Sequence, residues 1–366
     1  MLPSSFRALL LRIAPEGFSS RWVRLVLGVG IAVYFVAGMG LLALRWVVLP
    51  QVSRWRPEVE QIASRSIGLP LSMAHLDADW DGLRPRLRIG GLSLKDKAGH
   101  EVLHLDHVDA SLGWSSLIFG RLRLHRLVVE RPLLDIRRDA DGNLHVAGLN
   151  VRGSGESSDF TQWLFDPRTL VIDEASVRWT DLKRGAEPLM LEHVDFLLEN
   201  SGSHHRFGLR AEPPKALASP LDLRGDFYLN RGAPLLDAWG AFYASIDYAD
   251  LDRWQRWVET PFSIRHGLGG LRLWLSLARG GRVDSVAADL ALRELAVRFS
   301  PKLPQLDLAR LTGRLRFARS NKGWQLDGHE ITLASSDGSD MNSTDFQMRR
   351  TLVRGRGQSE FLASNL

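Results

Sequence analysis

The sequence predicts a mainly β protein that is held to a membrane by one helix near its N-terminus. Three observations predict this class. Residues 25–44 form a run of twenty residues without a charge, apolar and polar residues alternate over short segments after residue 84, and clusters of Gly, Asn and Asp separate those segments. Short strands spaced at roughly 8 to 12 residues pair as antiparallel meanders, so the sheet should be antiparallel.

The uncharged run is long enough to span a bilayer, because twenty residues at about 1.5 Å each measure roughly 30 Å. Trp22 and Trp46 flank the run, and we predict that they anchor it at the two membrane interfaces. A cleaved signal peptide would have a shorter apolar core and a cleavage site of small residues, which the following LRWVVLPQ lacks. We therefore predict a cytoplasmic segment over residues 1–24 and an uncleaved anchor over 25–48.

The orientation follows from the length of the chain beyond the anchor. The numbers of arginines on the two sides of the run are nearly equal, so the positive-inside rule barely decides the orientation of the helix. Long downstream domains cross a membrane largely regardless of charge. We expect the bulk of the chain on the side opposite the N-terminus.

A short amphipathic helix is predicted over residues 51–68. Val52, Trp55 and Val59 recur at helical spacing, Pro57 suits a first turn, and Gly68 suits the end of the helix. A second helix is predicted near 250–258, with Asp250 as its N-cap. The segment 152–159, RGSGESSD, reads as a linker, which divides the rest into β regions at 69–152 and 153–366.

The strands show their apolar faces by alternation. Leu87 and Ile89 alternate with arginines, and Gly90–Gly91 predicts a bulge after which Leu92 and Leu94 continue the apolar face. The apolar positions that we select on neighbouring strands are Leu87, Ile89, Leu122, Leu124, Leu134 and Ile136. A sheet of this kind can hide its apolar side in a barrel, in a sandwich or in an open groove that covers an apolar ligand. The pattern does not choose among these.

The composition excludes several classes of site and partner. The chain has no cysteine, which excludes disulfides, thiolate zinc sites and cysteine nucleophiles. The net charge is only +5 and is scattered, so we expect no nucleic-acid partner. No G-x-S-x-G, phosphate-binding loop or dinucleotide-binding motif occurs in the sequence. We expect no catalytic residue, no cofactor and no enzyme activity.

One motif argues for a zinc peptidase. Residues 100–104 read HEVLH, and on a helix His100 and His104 would share a metal. The motif runs into a period-two segment, and on a strand the two residues lie about 13 Å apart. We therefore predict a strand here, and no metal site.

Two further motifs have simpler interpretations. Asp139–Ala140–Asp141–Gly142–Asn143 resembles part of a calcium loop, but Gly142 comes one ligand early and the closing Glu is absent, so a hairpin turn is expected. His204–His205 follow Ser and Gly residues without a third ligand, and we expect a solvated turn.

The order of these pieces resembles the AsmA-like proteins of Gram-negative bacteria and, within them, the YhdP-like group. The segments that carry the resemblance are Leu92–Ser93–Leu94–Lys95–Asp96, Trp114–Ser115–Ser116–Leu117, Val129–Glu130–Arg131–Pro132, Arg138–Asp139–Ala140–Asp141–Gly142 and Trp324–Gln325–Leu326–Asp327–Gly328. They span most of the chain. Because that group is several times longer than this chain, we expect the chain to be incomplete at its C-terminus.

The resemblance implies a fold and a function. It implies a single-pass inner-membrane protein whose bulk is periplasmic, with an elongated, twisted antiparallel sheet rolled into a hydrophobic groove. Phospholipid and the inner membrane would be its partners, and a missing C-terminal part would reach outer-membrane or periplasmic partners. The groove would conduct phospholipid between the two membranes, lined by the six apolar residues selected above. Two alternatives to lipid transport remain. One is a scaffold for outer-membrane proteins, as proposed for the related TamB, and the other is the zinc peptidase.

Overall fold

The computed structural model describes most of the chain. The described residues are 20–67, 69–82, 84–95, 99–113, 124–146, 149–150, 164–230, 232–257, 263–320, 323–336, 338, 340–353 and 356–364. Two compact units meet in sequence between Trp55 and Arg56.

The first unit contains the membrane helix. Helix α1 spans Ser20–Ala43, a turn of π-helix follows at Leu44–Val48, and a 3₁₀-helix runs over Leu49–Trp55. The segment Val23–Val47 is long and apolar enough to cross a membrane, and none of it is buried inside the protein. The predicted anchor is confirmed as a helix of membrane-spanning length.

The second unit is one long sheet with two short helices, α2 (Arg56–Ile67) and α3 (Leu251–Trp254). Its strands are β1 (Leu71–Asp81), β2 (Arg84–Lys95), β3 (Glu101–Leu112), β4 (Leu124–Glu130), β5 (Leu133–Arg138), β6 (Leu144–Val146), β7 (Leu149–Asn150), β8 (Thr169–Asp181), β9 (Leu189–Ser201), β10 (His204–Glu212), β11 (Leu221–Tyr228), β12 (Trp239–Asp250), β13 (Ser263–Ala278), β14 (Arg282–Arg298), β15 (Leu306–Ser320), β16 (Gly323–Ser335), β17 (Asp340–Val353) and β18 (Arg356–Ser364). The mainly β prediction is confirmed.

The sheet joins two antiparallel meanders by one parallel seam. Strands β1 to β4 pair consecutively, and so do β8 to β18. At the seam, β4 and β5 both run parallel to β8. The predicted antiparallel sheet is confirmed, and this seam is its parallel exception. A parallel partner needs a long crossover connection and lies far along the chain. The predicted linker at 152–159 lies outside the described residues.

On the first strands, the alternation of buried and exposed side chains shifts by one residue at a bulge. Gly91 has a φ of 60°, and the buried side chains shift there from Leu87 to Leu92 and Leu94. This confirms the predicted change of face at Gly90–Gly91. A side chain at Gly91 would be strained by this φ and would press on the Cβ of Ala74 at 2.9 Å.

The same backbone conformation recurs across the seam at residues that are not glycine. Arg131, Glu174 and His193 have φ values of 49°, 53° and 45°. Asp195 fixes one of these bulges by accepting a hydrogen bond from the Glu174 backbone N–H at 3.1 Å, and His193 Nδ1 lies 2.9 Å from the Glu174 carboxylate. That carboxylate raises the pKa of His193. Bulges of this kind increase local twist and bend the sheet.

Helix α2 covers the free edge of β1. Glu60 accepts a hydrogen bond from the Met73 N–H at 2.8 Å, and Ser64 accepts one from the Leu71 N–H at 2.9 Å. Arg56 donates to the Ala74 carbonyl at 2.8 Å. These side chains satisfy backbone groups that an edge strand otherwise leaves unpaired. The predicted helix over 51–68 is α-helical only from Arg56.

The other predicted helix is one turn long. Asp250 caps α3 by accepting a hydrogen bond from the Arg253 N–H at 3.2 Å, as predicted. Residues 258–262 lie outside the described part, so the predicted end at 258 does as well.

A buried ion pair lies at the seam. Asp181, at the end of β8, is fully buried and pairs with Arg138, at the end of β5; the Arg138 Nε donates at 2.9 Å. The Arg184 backbone N–H donates to the same carboxylate at 3.2 Å. Burial raises the pKa of Asp181, but the hydrogen bonds from Arg138 and Arg184 outweigh it and lower the pKa below its usual value.

We expect Asp181→Ala to destabilise the protein by about 3 to 5 kcal/mol, because it leaves the Arg138 guanidinium partly buried without its carboxylate. The exposed Asp284→Ala is the control and should change stability by less than about 0.5 kcal/mol. Chemical unfolding of the full chain in detergent, followed by circular dichroism, measures both. Equal stability of the two variants would contradict the structural role of the pair.

Candidate functional site: the apolar face of the sheet

One face of the sheet carries two uninterrupted rows of apolar side chains. Each row takes one residue from every strand except β5, β6 and β7, following the cross-strand pairs. Row 1 consists of Ala78, Leu87, Ala110, Leu127, Leu170, Leu198, Phe207, Gly225, Phe242, Leu275, Val286, Phe317, Leu326, Met348 and Phe361. Row 2 consists of Leu76, Ile89, Val108, Val129, Ile172, Phe196, Leu209, Leu223, Ala244, Leu273, Ala288, Leu315, Gly328, Phe346 and Ala363.

The two glycines do not break the rows. The Phe207 ring lies over Gly225, and the Phe346 ring lies over Gly328, in each case where a Cβ would stand. An aromatic side chain from the neighbouring strand therefore fills each gap. No charged residue enters either row, so we call the side of the sheet that carries them the apolar face.

The opposite face is polar. The row behind row 1 consists of Asp79, Arg86, Ser111, Arg126, Thr169, Glu199, Arg206, Asp226, Ala241, Ser276, Ser285, Ala318, Gln325, Arg349 and Glu360. Arg206 and Asp226 pair across strands at 3.1 Å, and elsewhere on this face Arg314 donates to Asp289 at 2.8 Å. Exposed pairs of this kind add little stability, but they keep this face in water.

The apolar face becomes more accessible along the sheet. In row 1, Leu170 on β8 is 1% exposed and Leu198 on β9 is 2% exposed. From β10 onward the residues of row 1 other than glycine are at least partly accessible, and Met348 and Phe361 reach 37% and 61%. The first strands therefore present a closed face, and the later strands an open one.

Phe165 borders one margin of the apolar face near β9 and β10. Its ring lies 4.4 Å from the His205 ring and 6.3 Å from the Phe227 ring, between centroids. Asn200 holds this segment in place by donating to the Pro167 carbonyl at 2.7 Å, while its Oδ1 lies 2.7 Å from His205 Nδ1. Because the Asn200 amide nitrogen is the donor to Pro167, its oxygen accepts and His205 Nδ1 carries a proton. Burial lowers the pKa of His205, which favours the neutral ring.

Helix α3 borders the opposite margin. Leu251 packs against the buried cluster that contains Ile264 and Leu295. Arg184, in the turn after β8, donates to the Gln255 carbonyl at 2.6 Å and to the Arg256 carbonyl at 3.1 Å. These hydrogen bonds join the connection between β8 and β9 to the segment that follows α3.

Two of the six predicted lining residues lie in the rows. Leu87 is in row 1 and is buried, and Ile89 is in row 2 and is partly buried. Both belong to the closed part of the face.

The other predicted residues lie elsewhere. Leu134 and Ile136 pack against a buried cluster on β8, β9 and β10, and Leu124 pairs with Leu112 and is partly buried. Leu122 lies outside the described residues. The six selected residues include none from β10 to β18, although the alternation of those strands is visible in the sequence, and the lining role of the six stays a prediction.

The two predicted membrane anchors lie in the first unit. Trp46, in the π-helical turn, is 72% exposed. Trp22 lies within α1, and its side chain is outside the described part.

The motifs with possible metal chemistry serve structural roles. His104 lies on strand β3, 3.0 Å from the Ser93 hydroxyl and 3.1 Å from Glu101, so the HEVLH segment is a strand as predicted. Within the described ranges, no group of three His, Asp or Glu residues is placed to hold a metal ion.

The segment 139–143 is a hairpin turn, as predicted. Asp139 accepts a hydrogen bond from the Asn143 N–H at 2.7 Å and lies 3.1 Å from His145 Nε2. Burial opposes ionisation of Asp139, but the hydrogen bonds from His145 and Asn143 lower its pKa to about 2.

The prediction of a solvated turn at His204–His205 is wrong. Strand β10 begins at His204, and His205 is buried against Asn200. The turn is only two residues long, at Gly202–Ser203. A single buried histidine in a polar stretch leaves no periodic signal in the sequence.

One comparison with known proteins identifies the family. The family model described as YhdP protein matches residues 11–366. The chain belongs to the YhdP family. No curated protein and no solved structure matches it. YhdP is not a known enzyme family. The N-terminal apolar helix fits a membrane-anchored protein of this family.

The increase in exposure along row 1 predicts that charged substitutions cost less stability on the later strands of this YhdP-family chain. Leu170→Asp should unfold it or destabilise it by about 3 kcal/mol or more, because it buries a carboxylate without a partner. Phe361→Glu, on the same row, should cost less than about 1 kcal/mol because that site is exposed. Chemical unfolding in detergent compares the two variants. Similar losses at both sites would contradict the division into closed and open parts.

Proposed function

We propose that this YhdP-family protein carries phospholipid acyl chains along the apolar face of its sheet, between the inner and outer membranes. The observation that carries the proposal is the pair of uninterrupted apolar rows, which are free of charge from β1 to β18. From β10 onward their residues other than glycine are at least partly accessible. Moving an acyl chain into water costs about 0.8 kcal/mol for each CH₂ group. A continuous apolar surface removes that cost at each step along the sheet.

The opposite face supports the same function. Its charged side chains stay in water, so this face needs no covering layer, and acyl chains would cover the apolar face. The membrane helix would hold the sheet beside a supply of lipid. Transport of this kind requires no acid, base or nucleophile.

Site-specific photo-crosslinking tests the proposal. A benzophenone side chain at Leu275, in row 1, should capture phospholipid in cells. The matched control is the adjacent residue Ser276, which lies on the polar face of the same strand, and it should give no more than background. Equal lipid capture at the two positions, or none at Leu275, would contradict transport along the apolar face.

The second candidate is a scaffold for outer-membrane proteins. Among the described residues, β18 pairs only with β17, and its Phe361 and Leu362 are exposed. An unpaired edge strand can accept an extended segment of another chain. Crosslinking at Leu362 that captures unfolded outer-membrane protein, without lipid capture at Leu275, would favour this candidate.

The orientation is also a proposal, with the sheet in the periplasm. Alkaline phosphatase, which is active only after export, should be active when fused behind residue 366. A fluorescent protein that folds only in the cytoplasm is the control at the same position and should stay dark. The reverse pair of signals would place the sheet in the cytoplasm and exclude the transport route.

A further inference from the structure

One margin of the apolar face carries positive charge. The row next to row 1 on this face pairs Arg319 with Trp324, and Trp324 with Arg350. Arg319 lies two residues from Phe317, and Arg350 lies two residues from Met348, so both point to the side that carries row 1. The Phe317 and Trp324 rings are in contact, with centroids 6.3 Å apart.

Both arginines are available for a ligand. Each is exposed, and neither makes an ion pair or a hydrogen bond within the described part of the chain. The register between β14 and β15 ends with the pair Ser285 and Ala318, one residue before Arg319. By contrast, arginines on the polar face of the same two strands have partners, such as Arg314 with Asp289 and Arg349 with Gln325.

The spacing suits an anion. Arg319 and Arg350 are separated by one strand, so their Cα atoms lie roughly 10 Å apart. Two long side chains at that distance can converge on one group above Trp324. Arginine binds phosphate oxygens with paired N–H donors.

We propose that Arg319 and Arg350 bind the phosphodiester of a glycerophospholipid whose acyl chains lie on row 1. This inference rests on the proposed function and adds the headgroup site to it. Charge complementarity selects the occupant: the apolar rows accept the chains, and the two free cations at their margin accept the phosphate. A purely apolar ligand such as diacylglycerol would make no use of the two arginines.

The test compares two photoreactive lipids that differ in the phosphate. Full-length protein in detergent is labelled with photoreactive phosphatidylglycerol or photoreactive diacylglycerol. The variant is R319Q/R350Q. The control is R316Q/R349Q, which removes the same charge from the same two strands but on the polar face. Mass spectrometry measures the adducts on each chain.

The wild type should label more strongly with phosphatidylglycerol than with diacylglycerol, by about fivefold, and R319Q/R350Q should lose that difference while the control keeps it. Unchanged preference in R319Q/R350Q, or equal loss in both double variants, would overturn the headgroup site while leaving acyl-chain binding in place. No labelling of the wild type by either lipid would overturn the proposed function as well.

Discussion

The structure depends on the register of its strands. In a β-sheet neighbouring residues point to opposite sides, so a slip of one residue at any pairing would exchange the apolar and polar faces of every strand beyond it. Here the pairing keeps two rows apolar through the parallel seam and through a meander of eleven strands. The free energy that enforces this register is the burial of apolar side chains on one side, together with the exposure of charges on the other. The apolar face and the charged margin at Arg319 and Arg350 both follow from it.

The two edges of the sheet are treated differently. The edge of β1 is covered by three side chains of α2, which replace a missing strand with hydrogen bonds at 2.8 to 2.9 Å. The described part of the chain offers no such cover to β18. The edge of β1 is therefore blocked against the addition of a further strand.

Local pattern predicted the parts of this fold that local pattern encodes. The uncharged run, the alternation at Leu87 and Ile89, the change of face at Gly91 and the Asp250 cap all depend on neighbours in sequence. The parallel pairing of β4 with β8 does not depend on sequence neighbours, because neither strand's own sequence indicates which strand it pairs with. Nor does accessibility: Leu87 and Leu275 lie in similar alternating segments, and only the tertiary structure buries Leu87 and leaves Leu275 partly accessible. Of the six residues selected from the sequence, Leu87 and Ile89 lie in the closed part of the rows, and the role of the six as a groove lining stays a prediction.

The buried pair at the seam has a consequence for how the sheet assembles. The two meanders are made of local hairpins and can each form without the other, so the seam is where they must be aligned. Apolar contacts tolerate a sliding error there, since one aliphatic side chain packs much like another. A buried carboxylate does not tolerate such an error. Any misalignment of β5 on β8 would leave Asp181 buried without Arg138. The pair thus favours one alignment of the two half-sheets. In that alignment the two halves of the apolar surface are continuous.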